Sequence, residues 1–119
     1  MASINESLNE LVSVDGAMAA AVVDSSSGML LGGAGSGIDL ELAAAGNTEV
    51  VRAKLKTARS LGLADSIDDI LITLSSQFHI IRPLARQPEV FIYFVLDRAR
   101  ANLALARMKA KSVEGALEF

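Results

Sequence analysis

Residues 70–97 read ILITLSSQFHIIRPLARQPEVFIYFVLD, three apolar segments separated by two polar turns. In the first segment Ile70 and Ile72 alternate with residues of the opposite face, the period-two pattern of a pleated strand. The third segment, residues 90–96, is apolar at every position, so it predicts a strand inside a sheet that is covered on both faces. The rest of the chain must therefore supply helices for both faces of this sheet.

The composition bounds the class of protein. A chain of 119 residues is expected to fold as one domain, residues 1–119, around a single core. The absence of cysteine excludes disulfides, thiolate metal sites and cysteine nucleophiles. A net charge of −3, with four phenylalanines, one tyrosine and no tryptophan, argues against nucleic-acid binding. No apolar run could span a bilayer and no signal peptide is evident, so a cytoplasmic protein without an integral membrane segment is expected.

The N-terminal part predicts a helix followed by a hairpin. Ser3 and Glu6 have the spacing of a capping box, and Asp15-Gly16 would end the helix that follows. Residues 17–23 fit either a helix, because of their alanines, or a buried strand, because of their length and flanks. We favour the strand, which a polar turn would join to a short returning strand at residues 29–32.

A glycine-rich segment, residues 32–37, follows that strand and leads into a helix, where a phosphate-binding loop would lie. The motif is incomplete, because Ile38 and Asp39 stand where a P-loop needs lysine and serine or threonine. Asp39 would also compete with phosphate for the free N–H groups at the helix start. We therefore predict a flexible loop, and a nucleotide-binding enzyme is the least favoured function for this chain.

A long helix is predicted over residues 39–61, with Asp39 as its N-cap and Gly62 as its stop. A first stripe at helical spacing would cover the sheet and consists of Leu40, Ala44, Val51, Leu55 and Ala58. A second stripe adjoins it and consists of Leu42, Ala43, Gly46, Val50, Ala53, Thr57 and Leu61. Together the stripes span roughly 220°, against the ~100° that packing on one sheet requires.

The second stripe therefore needs a partner of its own. Either a second copy of the chain packs against it, or the N- or C-terminal segment folds over it. We favour self-association, with Asn47 and Lys54 at the join of the two stripes fixing the register. The apolar side of the strand at Ile70 and Ile72 also invites pairing with a second copy. The predicted homodimer interface consists of Ala43, Gly46, Asn47, Val50, Ala53, Lys54, Thr57, Ile70 and Ile72.

The remaining polar residues indicate no catalytic site. His79 is the only histidine and lies in the middle of the three predicted strands. Because no serine, cysteine or second histidine stands in a recognisable relation to it, we interpret it as an ordinary strand histidine. No catalytic, cofactor-binding or metal-ligating residues are predicted, and the chain is expected not to be an enzyme.

A last helix is predicted to begin near Asp97 or Arg98 and to dock on the sheet through apolar residues at helical spacing. Arg100, Arg107 and Lys111 share another face of this helix, and with Arg98 and Lys109 they form the one basic patch, of which the first three are the predicted partner contact. The patch is either a solvated face, favoured by the negative end of the helix, or a contact for an acidic protein or a membrane surface.

The order helix, two strands, long helix, three strands, helix resembles the roadblock family of dynein light chains and their bacterial relatives. The resemblance covers nearly the whole chain. The segments that carry it are the hairpin from Val22-Val23-Asp24 to Gly28-Met29-Leu30, the alanine-rich long helix, the strands from Ile70 to Leu84, and the closing Ala101 to Arg107. Ala104 departs from the pattern, since many relatives carry glycine there.

The resemblance implies an α/β (α+β) fold of profilin-like topology α-β-β-α-β-β-β-α. Its five-stranded, mainly antiparallel sheet would have the order 2-1-5-4-3, with the long helix on one face and the terminal helices on the other. Family members dimerise by pairing third strands and juxtaposing long helices. Such dimers serve as scaffolds and as regulators of small Ras-like GTPases, and the catalytic residues belong to the GTPase, so none is carried over.

On this basis the chain is expected to be a non-enzymatic homodimeric regulator or scaffold, without a cofactor. It would bind a small Ras-like GTPase and modulate its GTP hydrolysis or nucleotide state. The alternative is a purely structural dimerisation adaptor that tethers a sensor-kinase-linked signalling complex or a motor-type complex. A turnover assay with the GTPase distinguishes the two.

Overall fold

The computed structural model describes residues 2–118 and packs helices on both faces of one antiparallel sheet. In chain order the elements are α1 (Ile4–Val12), β1 (Ala17–Asp24), β2 (Met29–Gly35), α2 (Leu40–Ser60), β3 (Ile70–Thr73), β4 (Gln77–Pro83), β5 (Val90–Asp97) and α3 (Leu103–Ala116). The strand order is β2-β1-β5-β4-β3, and every neighbouring pair is antiparallel. The predicted fold class and strand order are confirmed.

β5 is the middle strand of the sheet, and its side chains divide the interior into two cores. Ile92 and Phe94 point into the core beneath α1 and α3, whereas Phe91 and Tyr93 point into the core beneath α2. All four are buried, which explains why this segment is apolar on both faces. The long helix therefore lies alone on one face of the sheet, and the terminal helices share the other, as predicted.

The predicted starts of the first two helices are confirmed, and so is the end of the second, whereas α1 ends at Val12, before the predicted Asp15-Gly16. Ser3 and Glu6 form the capping box of α1, each side chain accepting a hydrogen bond from the other residue's backbone N–H. Asp39 caps α2 by accepting from the Leu42 N–H at 3.1 Å. Gly62 follows the end of α2 with a φ of +74°, a left-handed conformation that glycine adopts without strain.

α3 begins later than predicted. The expected start near Asp97 or Arg98 is wrong, because the helix begins at Leu103 with Asn102 as its N-cap. The Asp97 carboxylate accepts a hydrogen bond from the Ala99 N–H at 3.0 Å. This local bond holds the chain in a turn, so the first helical position comes several residues later.

The prediction of a flexible loop over residues 32–37 is wrong for its first four residues, which belong to β2. The terminal helix α1 and the long helix α2 approach this strand from opposite faces. An added Cβ at Gly32 would lie 2.7 Å from Ile4 Cγ2, and one at Gly33 would lie 2.8 Å from Leu40 Cδ1. The glycines therefore serve close packing of helices on an edge strand, which local composition does not reveal.

A Gly35→Ala variant is expected to lose about 1–3 kcal/mol of unfolding free energy. Gly35 has a φ of +90°, and a Cβ there would lie 2.6 Å from Ala19 Cα and collide with the Met18 carbonyl oxygen. Gly115→Ala is the control, because nothing lies within 4 Å of its Cβ position. It should be neutral or stabilising. Urea unfolding of both variants measures the difference, and equal midpoints would contradict the packing described for β2.

Candidate interaction surface on the long helix

α2 packs on the sheet through its first stripe. Ala44 and Val51 are buried in the core beneath α2, and Leu40 and Leu55 pack around them, partly buried. Thr48 is buried as well. Its hydroxyl donates a hydrogen bond to the carbonyl oxygen of Ala44 at 2.7 Å, so this polar group is satisfied without water. The first stripe is confirmed for these four apolar residues, whereas its fifth predicted member, Ala58, is half-buried outside this core, and Thr48 is a member that sequence reasoning missed.

Except for Ala43, which packs against this core, the second stripe of α2 points away from it. Leu42 is 71% exposed, Val50 36% and Leu61 66%. Large apolar side chains exposed in one row mark a contact surface more often than scattered ones do. The other predicted interface residues of α2 are Gly46, Ala53, Lys54 and Thr57, which are exposed, and Ala43 and Asn47, which are half-buried.

Neither terminal helix covers the second stripe. Leu8 and Leu11 of α1 and Ala106 and Ala110 of α3 are buried in the core on the opposite face of the sheet. The alternative in which the N- or C-terminal segment folds over α2 is therefore wrong for residues 2–118. Within this range, the stripe is left open by the subunit itself.

β3 is an edge strand and lies against the same core as α2. Ile70 and Ile72 are half-buried on the α2 side of the sheet, opposite Ile81 and His79 of β4. No strand lies along the other side of β3 within the described residues. The structure therefore places the predicted interface residues of α2 and β3 on one face of the sheet.

Three polar side chains form a hydrogen-bonded chain on that face. His79 Nε2 lies 2.8 Å from Gln77 Oε1, and the Tyr93 hydroxyl lies 3.0 Å from His79 Nδ1. Because an amide oxygen only accepts, Nε2 carries the proton and the Tyr93 hydroxyl donates to Nδ1. Burial lowers the pKa of His79 and raises the pKa of Tyr93, the latter partly offset by the nearby Asn47 side chain. His79 is thus held neutral beside the predicted interface.

Protonation of His79 is expected to destabilise the fold. Its pKa is lowered by burial from an ordinary 6.5, so the unfolded chain binds the proton more tightly than the folded chain. Stability is therefore full above the unfolded pKa and falls as the pH drops below it. Between about pH 7.5 and 5.5, a His79→Gln variant should show a flatter pH dependence of its urea midpoint than wild type. Identical slopes would contradict this assignment.

The predicted basic patch is only partly available to a partner. Arg107 donates two hydrogen bonds to the Asp69 carboxylate, at 3.0 and 2.9 Å, an ion pair that sequence reasoning missed. Arg100 and Lys111 are exposed, and neither forms an ion pair within the part of the chain that the structure describes. Of the three residues predicted as a partner contact, Arg107 is thus paired within the chain, whereas Arg100 and Lys111 face solvent.

Asp69 also belongs to a buried ion network. Arg82 Nε lies 3.0 Å from Glu114 Oε1, and Arg82 Nη1 lies 3.8 Å from Asp69 Oδ2. The side chains of Asp69, Arg82 and Glu114 are only 8%, 12% and 11% exposed. The network connects α3 to β4 and to the chain just before β3, so it holds the edge strand in place.

Residues 2–118 contain neither a metal-binding cluster nor a membrane-spanning helix. The structure groups no three histidine, aspartate or glutamate side chains closely enough to hold a metal ion there. No helix in this range is both long and apolar enough to cross a membrane.

The architecture has close counterparts among solved structures. MglB of Myxococcus xanthus superimposes with a TM-score of 0.83 at 20% sequence identity, over 94% of this chain and 89% of that one. The Roadblock/LC7 domain from Streptomyces avermitilis gives 0.83 at 11% identity, over 97% and 94%. This chain has the roadblock fold. The gliding protein MglB of Thermus thermophilus shares the roadblock fold too, with a TM-score of 0.81 at 19% identity over 95% and 84% of the chains. By sequence, neither a family model nor a curated protein matches this chain.

Proposed function

We propose that this chain is a homodimeric regulator or scaffold, not an enzyme, that binds a small Ras-like GTPase and modulates its GTP hydrolysis or nucleotide state. The observation that carries the proposal is the open second stripe of α2, which lies on the same face of the sheet as the edge strand β3. A subunit with one uncovered apolar helix face and one unpaired strand on that side is suited to self-association.

Gly46 supports a helix–helix contact at this stripe. A glycine inside a helix costs about 1 kcal/mol relative to alanine, and apart from its neighbours in the helix no atom of residues 2–118 lies within 4 Å of the Gly46 Cβ position. Packing within the chain therefore gives no reason for a glycine. A second copy of α2 crossing at this point would give one, because a missing side chain lets two helix backbones approach closely.

The β3 edge would extend the same contact. Two antiparallel copies of Ile70–Thr73 can exchange backbone hydrogen bonds and continue the sheet through the dimer. Ile70 and Ile72, half-buried in one subunit, would then lose their remaining exposure. Burial of these side chains together with Val50 and Leu42 supplies the hydrophobic free energy of association.

The GTPase assignment depends on the resemblance to the roadblock family and on the fold shared with the MglB structures. A protein without catalytic groups of its own acts on a GTPase by binding one nucleotide state more tightly than the other. A tenfold preference for the GTP-bound state corresponds to about 1.4 kcal/mol of coupling. That amount of free energy is available from a few contacts at an interface.

The test uses a small Ras-like GTPase encoded beside this chain's gene. Its affinity for the dimer is measured with a non-hydrolysable GTP analogue and with GDP, and its turnover is measured with and without the dimer. We expect tighter binding of the GTP form and altered turnover. Binding that ignores the nucleotide, together with unchanged turnover, would leave the structural adaptor as the function.

A further inference from the structure

The outer face of α3, opposite its buried side, carries an apolar surface that no other element within residues 2–118 covers. We define this face by the exposed residues Ala104, Leu105, Met108, Lys111, Ser112 and Gly115. Leu105 is 60% exposed and Met108 67%, and their spacing places them on adjacent turns. The buried side of the same helix, with Ala106, Ala110 and Val113, already accounts for docking on the sheet. The outer face is therefore not needed for folding.

The outer face carries several small residues. Next to the two large side chains it carries only Ala104, Ser112 and Gly115 besides one lysine. Apart from its neighbours in the helix, no atom of residues 2–118 lies within 4 Å of the Cβ position of Gly115, so packing within this range does not require a glycine there. Small residues beside Leu and Met leave room for the ridge of another helix to pack between them.

The charge that α3 itself contributes to this surface is positive, and the exposed Asp68 lies beside it, lining the same shallow pocket as Met108 and Lys111. Lys111 on the outer face and Arg100 before the helix are exposed without an ion pair in residues 2–118, and Arg107 on the flank keeps 48% of its side-chain exposure. The only acidic residue of α3, Glu114, is 11% exposed and held by Arg82. In a protein of net charge −3, this helix thus presents exposed cations and no exposed anion of its own.

We propose that the outer face of α3 docks an acidic amphipathic helix of a partner protein. Leu105 and Met108 would receive apolar residues of that helix, and its flanking Asp or Glu side chains would meet Lys111, Arg107 and Arg100. α3 has 14 residues and is about 21 Å long, so it offers a partner helix about four turns of contact. This proposal does not depend on the GTPase assignment, because it is argued only from the exposed residues of α3, and it leaves the α2 face to self-association because α3 and α2 lie on opposite faces of the sheet.

The observations favour this occupant over two others. A second copy of α3 would bring the same cations against one another, which opposes a symmetric contact. An anionic membrane would attract these few cations but repel the rest of an acidic protein, and the outer face carries no aromatic anchor for the lipid interface. An acidic helix meets both the apolar and the charged part of the surface.

The probe is a fluorescein-labelled synthetic peptide of about 18 residues, with leucine at every third or fourth position and alanine and glutamate elsewhere. Its binding to the full chain is followed by fluorescence anisotropy. We expect a dissociation constant below about 1 mM for the wild-type chain, and binding should weaken when salt is added. The Leu105→Glu and Met108→Glu variants should each bind the peptide at least about tenfold more weakly. Met29→Glu is the matched control, because Met29 is similarly exposed, at 63%, but lies at the start of β2. It should bind as wild type does.

Other outcomes overturn the proposal. The proposal is wrong if the glutamate peptide does not bind at millimolar concentration, or if a peptide with lysine in place of glutamate binds equally well. It is also wrong if the Met108→Glu variant binds the glutamate peptide as tightly as wild type does. Retention on phosphatidylglycerol vesicles that Lys111→Glu abolishes, without peptide binding, would assign the face to a membrane. Sedimentation in which Met108→Glu, and not Met29→Glu, lowers the mass of the wild-type assembly would assign it to a second copy.

Discussion

A Val50→Glu variant is expected to sediment as a single chain at concentrations where the wild-type protein sediments as a dimer. Val50 is 36% exposed in the second stripe, so a glutamate there should change the stability of the isolated subunit little. In a dimer formed through this stripe, the carboxylate would be buried without a partner and close to its own copy. That costs about 3 kcal/mol, or a factor of roughly 10² in the dissociation constant. Sedimentation velocity over a range of concentrations measures the effect.

Lys56→Glu is the control for this experiment, because Lys56 is an exposed residue of the charged side of the same helix. It should leave the dimer intact, and Ala53→Glu should repeat the effect of Val50→Glu. Circular dichroism and urea unfolding of each variant show whether the subunit remains folded. A dimer that persists with unchanged affinity in both Val50→Glu and Ala53→Glu would refute the proposed interface.

The second large effect is expected from Arg82→Met, which should lower the free energy of unfolding by roughly 3 kcal/mol. The substitution removes the cation that lies 3.0 Å from Glu114 and 3.8 Å from Asp69. Asp69 keeps its two hydrogen bonds from Arg107, but Glu114 keeps only the Ala85 N–H at 3.2 Å. A carboxylate that is 11% exposed is thereby left without its counter-charge. Urea unfolding measures the loss.

Two further variants show whether the loss comes from the buried charge. Adding Glu114→Leu to Arg82→Met should restore most of the stability, because an apolar pair of similar size leaves no unpaired charge. Lys109→Met breaks the ion pair between Lys109 and Glu10, whose side chains are 36% and 55% exposed and whose charged atoms lie 3.6 Å apart. Because this pair is exposed, its loss should lower the free energy of unfolding by less than about 1 kcal/mol. If Lys109→Met costs as much as Arg82→Met, burial of the network does not explain its contribution.

Local patterns in the sequence predicted most of the helices and strands, whereas the strand order and the placement of the helices on the two faces were implied by the resemblance to the roadblock family. The uninterrupted apolar run of β5 predicted a strand covered on both faces, and the two stripes of residues 39–61 predicted a helix with a face left over. Both are periodicities within one element, and so they can be recognised without knowing what the element contacts. The second stripe is exposed except at Ala43, which packs on the core, and its pairing with a second copy stays a prediction.

Features that depend on distant contacts were not predictable in this way. Arg82 and Glu114 are 32 residues apart, and Asp69 and Arg107 are 38 apart, so no spacing connects them. The glycines of β2 were assigned to a loop because their local preference opposes a strand. These glycines nevertheless form part of the strand β2, because α1 and α2 pack closely on it and such tertiary contacts override local preference.

The division of the interior by β5 also determines how a paired assembly could hold its partners. Subunits joined through α2 would carry their α3 helices on surfaces turned away from the junction. A target with two copies of a docking segment could engage both, and the second contact would then form at an effective concentration in the millimolar range for a short flexible linker. Two weak contacts would give one long-lived complex by avidity. Separating the subunits would then release the target, although neither docking face had changed.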